Sequence, residues 1–134
     1  MKKTFVNAVL LSSFVIFGVE AGAKDPVKEY DELLRHASFV CELDNGNYQA
    51  AVRYRSPKQT ALGDKLMKCL TDYSEKARTD LPPAIKAAKN EAVKTALKAV
   101  YTDWVVYFGK FDPISKIRYE RSSSALKTEL LISQ

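Results

Sequence analysis

The residues of this chain best equipped for chemistry are two cysteines, Cys41 and Cys69, and a lone histidine, His36. The cysteines stand 28 positions apart, far from the Cys-x-x-Cys spacing of a redox pair, and one histidine does not complete a zinc set. A structural disulfide between them is therefore expected, and closing a loop of that length stabilises a fold by about 3 to 4 kcal/mol. His36 falls about opposite the apolar stripe of its own segment, with no second histidine or partnered nucleophile, and reads as an exposed helix residue. Gly-rich phosphate loops, a Gly-x-Ser-x-Gly elbow and a His-Glu-x-x-His pair are all missing from the sequence. Acidic neighbours such as Asp31 and Glu32 sit in first-turn or surface contexts, where carboxylates are ordinary helix chemistry. No catalytic, cofactor-binding or metal-ligating residue is assigned, and the expectation is a protein that is not an enzyme. Asp103 differs, because helical spacing puts it with Ala92, Ala96, Ala99 and Tyr107 on a face that should be buried; it is expected to be paired inside the fold.

Two clusters could contact another molecule. Tyr48, Arg53, Tyr54, Arg55 and Lys58 flank the Asn45-Gly46 and Ser56-Pro57 breaks, and Tyr and Arg on accessible backbone suit a protein or anionic-ligand contact. The segment Tyr101–Phe108 is apolar around nearly its whole circumference, so it must pack on another helix or another molecule; Trp104 and Phe108 are its candidate anchors. Lys86, Lys94 and Lys98 lie off the narrow apolar face and read as a solvated helix side.

These residues have to be carried by a small chain. Met1-Lys2-Lys3 puts positive charge ahead of a mostly apolar run from Phe5 to Val19, and Ala21-Gly22-Ala23 supplies the small residues that a signal peptidase needs. Residues 1–23 thus read as a secretory signal peptide cleaved after Ala23, the run being shorter than the roughly 20 apolar residues of a membrane span. Removing 23 of 134 residues leaves 111, expected as a single helical domain over 24–134. Taking Lys2, Lys3 and Glu20 from totals of 21 basic and 16 acidic residues leaves a net charge of +4, spread along the chain. That mild excess favours solubility over a nucleic-acid partner, and export makes the periplasm or the exterior the expected place.

Within the mature chain, Asp25-Pro26 is a helix start, followed by the stripe Val27, Tyr30, Leu34, Ala37, Cys41. Asp44-Asn45-Gly46-Asn47 is expected to end that helix, with a short second helix to about Arg55; alternation around Asn45-Gly46 also allows a β-hairpin over residues 39–54. After Ser56-Pro57, the spacing of Leu62, Leu66, Cys69, Leu70, Tyr73 and Ala77 predicts an amphipathic helix. Thr79–Pro83 reads as a boundary before a long helix from about Leu81 to Phe108, with Ile85, Ala88, Ala92, Ala96, Ala99, Val100 and Tyr107 inward. Asp112-Pro113 begins a final helix, weakened in the middle by Ser122-Ser123-Ser124. The sum is an all-α, antiparallel bundle of four to five helices with one disulfide. Its expected role is that of an exported binding module of the bacterial envelope, taking an envelope or exported protein as an inhibitor or immunity protein does. A peripheral binder of anionic envelope polymer or lipid, and a small periplasmic hydrolase, are the rival readings.

Overall fold

Asp25 caps the first helix as its type requires, accepting a hydrogen bond from the Val27 N–H at 2.9 Å. The computed structural model describes residues 22–134, so the segment read as a signal peptide lies outside the described residues but for Gly22 and Ala23. Four helices follow: α1 (Pro26–Arg53), α2 (Gln59–Ala87), α3 (Glu91–Phe108) and α4 (Pro113–Ile132). Among the described residues there is no strand, and the hairpin over residues 39–54 is not formed. None of these helices is long and apolar enough to cross a membrane.

α1 and α2 run antiparallel, since their links climb one helix while descending the other. The Tyr30 hydroxyl donates to the Ala77 carbonyl at 2.7 Å, Cys41 is bridged to Cys69 with Cα atoms 5.7 Å apart, and the Lys65 ammonium meets Asp44 at 2.6 Å. α3 and α4 form a second hairpin, and the two hairpins join through α3, which packs against both α2 and α1. Leu34, Val93, Leu97, Val100, Trp104 and Leu126 fill the shared core.

Three expected boundaries move. α1 does not stop at Asp44–Asn47 but continues to Arg53. Gly46 sits there with open space around it, so it costs only its helix propensity, while Asp44, the Cys41 bridge and the packing of Tyr48 on Gly63 hold the next turns against α2. α2 likewise runs through Pro82 and Pro83 to Ala87, and the expected single helix from Leu81 to Phe108 is broken instead at Lys89-Asn90. The two prolines remove the N–H groups that Arg78 and Thr79 carbonyls would use. Burial of Ala77 and Ala84, and partial burial of Leu81 and Ile85, keep the helix together across that gap. The true break carries its own cap, Asn90 accepting from the Val93 N–H at 2.9 Å. α4 is continuous through its serines.

The inward face of α3 is also different from the alanine stripe. Val93, Leu97, Val100, Trp104 and Tyr107 are buried, whereas Ala92 and Ala99 are exposed. Turning the larger side chains inward removes more apolar surface from water, which outweighs the neater alanine spacing.

Candidate functional site

Three side chains, Glu42, Tyr107 and Lys116, mark where the two hairpins stop covering each other. The Tyr107 hydroxyl donates to Glu42 at 2.7 Å, and the Lys116 ammonium donates to both Glu42 carboxylate oxygens at 3.0 Å. These bonds place the turn between α3 and α4 level with Glu42. The Tyr107 hydroxyl, then the Lys116 ammonium, hold the Glu42 carboxyl below its ordinary range, and burial together with the bond to Glu42 pushes the Tyr107 hydroxyl up.

Beyond Glu42, α1 continues through 43–53, about 16 Å of helix at 1.5 Å per residue, and α2 returns over residues 59–68. This arm, Leu43–Lys68, has no hydrogen bond or ion pair to α3 or α4 among the described residues. Its own interior is thin: Asp44, Ala51 and Leu66 are its buried residues. The disulfide crosses its base, the Lys65–Asp44 pair its middle, and higher up the Tyr48 ring lies where a Cβ on Gly63 would come within 3.2 Å. A side chain at position 63 would crowd that ring, which would have to give by a few tenths of an ångström.

The end of the arm gathers four of the residues read as a contact surface. Arg53, Tyr54, Arg55 and Lys58 are all exposed, Tyr54 to 77%. Arg55 has φ +51, the left-handed conformation that ends α1, and Ser56 closes the turn by donating to the Ala51 carbonyl at 2.9 Å. Tyr48 belongs to the arm but faces Gly63 instead of the tip. Trp104 and Phe108 are not brought to this end. They are core residues, 1% and 3% exposed, stacked at 4.3 Å, with the Trp104 N–H donating to the Leu34 carbonyl and the Ser38 hydroxyl, each at 3.0 Å.

Their edges nevertheless floor a second feature. Where α2 leaves the core to become the arm, a groove of about 700 Å³ opens between α2 and α3. Leu70, Tyr101, Trp104, Val105 and Phe108 line it, with Thr71, Ser74, Glu75 and Arg78 on its α2 wall. Met67, 61% exposed and one turn from Leu70 and Thr71, carries the same stripe onto the arm.

A polar cleft lies on the other side, between α1 and α4. Asp31 is buried there, not at the surface as expected, and accepts from Arg35 at 3.1 Å and from the Ser123 hydroxyl at 2.8 Å. Asp103 is half-buried, short of the full burial expected, and is paired with the Ser122 hydroxyl of α4. Ser124 bonds back to the Glu120 carbonyl at 2.9 Å. The serine run thus ties α4 to α1 and α3, a role invisible to propensity. The Tyr119 hydroxyl is buried beside Ser38 without a well-formed hydrogen bond, and burial pushes it up.

His36 is exposed and meets the edge of Tyr73, ring centres 5.9 Å apart. Among the described residues no group of three or more His, Cys, Asp or Glu could hold a metal ion. Compared with family models, curated proteins and solved structures, the chain matches none of them, so its reading rests on its own geometry.

Proposed function

We propose that this chain is an exported helical binding module of the bacterial envelope, taking a protein partner as an inhibitor or immunity protein does, with no catalysis of its own. The observation that carries this reading is the α2–α3 groove. An aromatic floor with one polar wall is the composition of a protein-docking surface, an apolar centre within a polar rim. Val105, on its α3 wall, is 45% exposed, so apolar surface is already offered to a partner. The disulfide supports the extracytoplasmic part of the proposal, because such bridges persist in oxidising compartments.

The mature chain, immobilised and exposed to envelope extract of its native host, tests this. Wild type and Lys89→Glu, changed at the exposed α2–α3 turn, are expected to retain the same stoichiometric protein. Val105→Arg, which puts a charge on the groove wall, is expected to lose it. Failure of wild type to retain any partner, in native and overproduced conditions alike, would overturn the proposal.

One observation favours a second reading, a peripheral binder of anionic polymer or lipid: Arg53, Arg55 and Lys58 project together at the tip. Binding of that kind weakens steeply with salt, and salt-insensitive binding excludes it.

A further inference from the structure

The tip of the arm carries cations without carboxylates. From Asn45 to Gly63 the chain holds Arg53, Arg55 and Lys58 and not one Asp or Glu. Just below, on the same hairpin, every lysine of α2 from Lys65 to Lys76 is neutralised by a carboxylate: Lys65 by Asp44, Lys68 by Asp72 and Lys76 by Asp80. Among the described residues no carboxylate lies within ion-pairing distance of Arg53, Arg55 or Lys58. Three cations that make no ion pair thus stand together at the apex, around an exposed tyrosine.

We propose that this apex is inserted into a carboxylate-lined cleft of an exported protein partner, with Tyr54 as the buried anchor and Arg53, Arg55 and Lys58 pairing with the acidic walls. This rests on the protein-binding reading above and adds to it the chemistry of the partner. Three features select a concave acidic protein site. The apex is convex and narrow, only two helix ends and a five-residue turn wide, so a concave wall meets all four side chains while a flat bilayer meets only the outermost. Two of the three cations are arginines, whose planar forks match carboxylates in bidentate pairs. The arm is held before binding by the disulfide, the Asp44–Lys65 pair and the Tyr48–Gly63 packing, so little freedom is lost on insertion. The α2–α3 groove at the root of the arm then receives the rim of the same partner, as its Met67–Leu70 stripe leads from groove to arm.

The test replaces Tyr54 of the mature chain with photoreactive benzoylphenylalanine in the envelope of the native host, with adducts mapped by mass spectrometry. The expected result is one protein adduct whose cross-linked peptide borders Asp or Glu residues. Its yield should fall at least about tenfold in the Arg53→Glu/Arg55→Glu background and again as sodium chloride rises from about 50 to about 500 mM. These residues are exposed, so the Tyr54 replacement should keep the wild-type melting temperature and the double charge reversal, which puts an acid in the last turn of α1, should lower it by no more than a few degrees; both are measured alongside. An adduct that survives charge reversal, or a peptide without neighbouring carboxylates, would overturn the inference. So would charge-dependent co-sedimentation of the wild-type chain with phosphatidylglycerol–phosphatidylethanolamine vesicles in place of a protein adduct, which would assign the tip to lipid. If Val105→Arg abolishes partner retention while the double charge reversal leaves it intact, the tip inference fails and the binding-module reading stands. If no partner is retained at all, both fail.

Discussion

Gly46 lies seven residues before the end of α1, at the place where the amino-acid types favour a turn, and Gly46→Ala separates the two possibilities by the sign of one number. In the continuous helix, an added Cβ at Gly46 meets nothing within 4 Å and the residue is exposed, so neither clash nor burial enters. Its φ is not positive, so alanine adopts the backbone without strain. What remains is the helix propensity difference, about 0.8 to 1 kcal/mol in favour of alanine. With an unfolding entropy of about 2.1 cal/mol/K per residue over roughly 110 residues, 1 kcal/mol corresponds to a rise of about 4 °C in Tm. Had the helix ended there, Gly46 would hold a left-handed backbone and alanine would cost about 1 kcal/mol, lowering Tm by a similar amount. Thermal unfolding followed by circular dichroism at 222 nm reads the difference. Gly63→Ala serves as the control, since its Cβ would press on Tyr48 at 3.2 Å and the same propensity gain should be cancelled. A drop in Tm for Gly46→Ala would refute a continuous α1 and with it the arm.

Replacing both Cys41 and Cys69 by alanine releases a loop of 28 residues and should cost about 3 to 4 kcal/mol in urea unfolding; hydrogen exchange should show the loss of protection concentrated in residues 43–68, and uniform loss would contradict the disulfide as the clamp of the arm. Ser123→Ala leaves one oxygen of the buried Asp31 without its donor and should destabilise by about 1 to 3 kcal/mol, measured the same way, whereas a change under about 0.5 kcal/mol would show Asp31 to be solvated. On the acid side, Glu42 is held below its ordinary range in the folded state, so its contribution is present above the unfolded carboxylate pKa of about 4.3 and lost as pH falls through the lower folded value. Tyr107→Phe removes the largest cause of that depression, and the acid-unfolding midpoint should move to higher pH; an unmoved midpoint would show the bond to be absent. On the alkaline side, burial raises Tyr30, Tyr107 and Tyr119, so their contribution is present below about pH 10 and is lost as pH rises beyond it. Absorbance at 295 nm should show these three ionising only together with the loss of helical signal, and ionisation within an intact fold would be the contrary result.

The α2 boundary shows how far the sequence reaches and where it stops. Pro82-Pro83 is a stronger local signal than Asn90, yet the helix passes the first and breaks at the second, because burial of Ala77 and Ala84 rewards continuation and the Asn90 side chain caps the next start. The same competition carries α1 through Gly46. Among the candidate contact residues, the exposed Arg53, Tyr54, Arg55 and Lys58 were legible from their turn-flanked placement, while Trp104 and Phe108 were legible as apolar, with core packing and a partner surface both open until the fold buried them.

What the sequence determined by itself is the helical class, the caps at Asp25 and Asp112, the break at Ser56-Pro57 and the pairing of Cys41 with Cys69, because each depends on residue type within one or two turns, or on there being only one possible partner. Only the tertiary structure decided that one hairpin outreaches the other. The lengths of α1 and α2 were hidden by their glycine and prolines, and the overhang follows from where Tyr107 and Lys116 fasten on Glu42, 65 and 74 positions away along the chain. Long-range packing sets that level, and it turns a run of three unpaired cations into the end of a clamped arm.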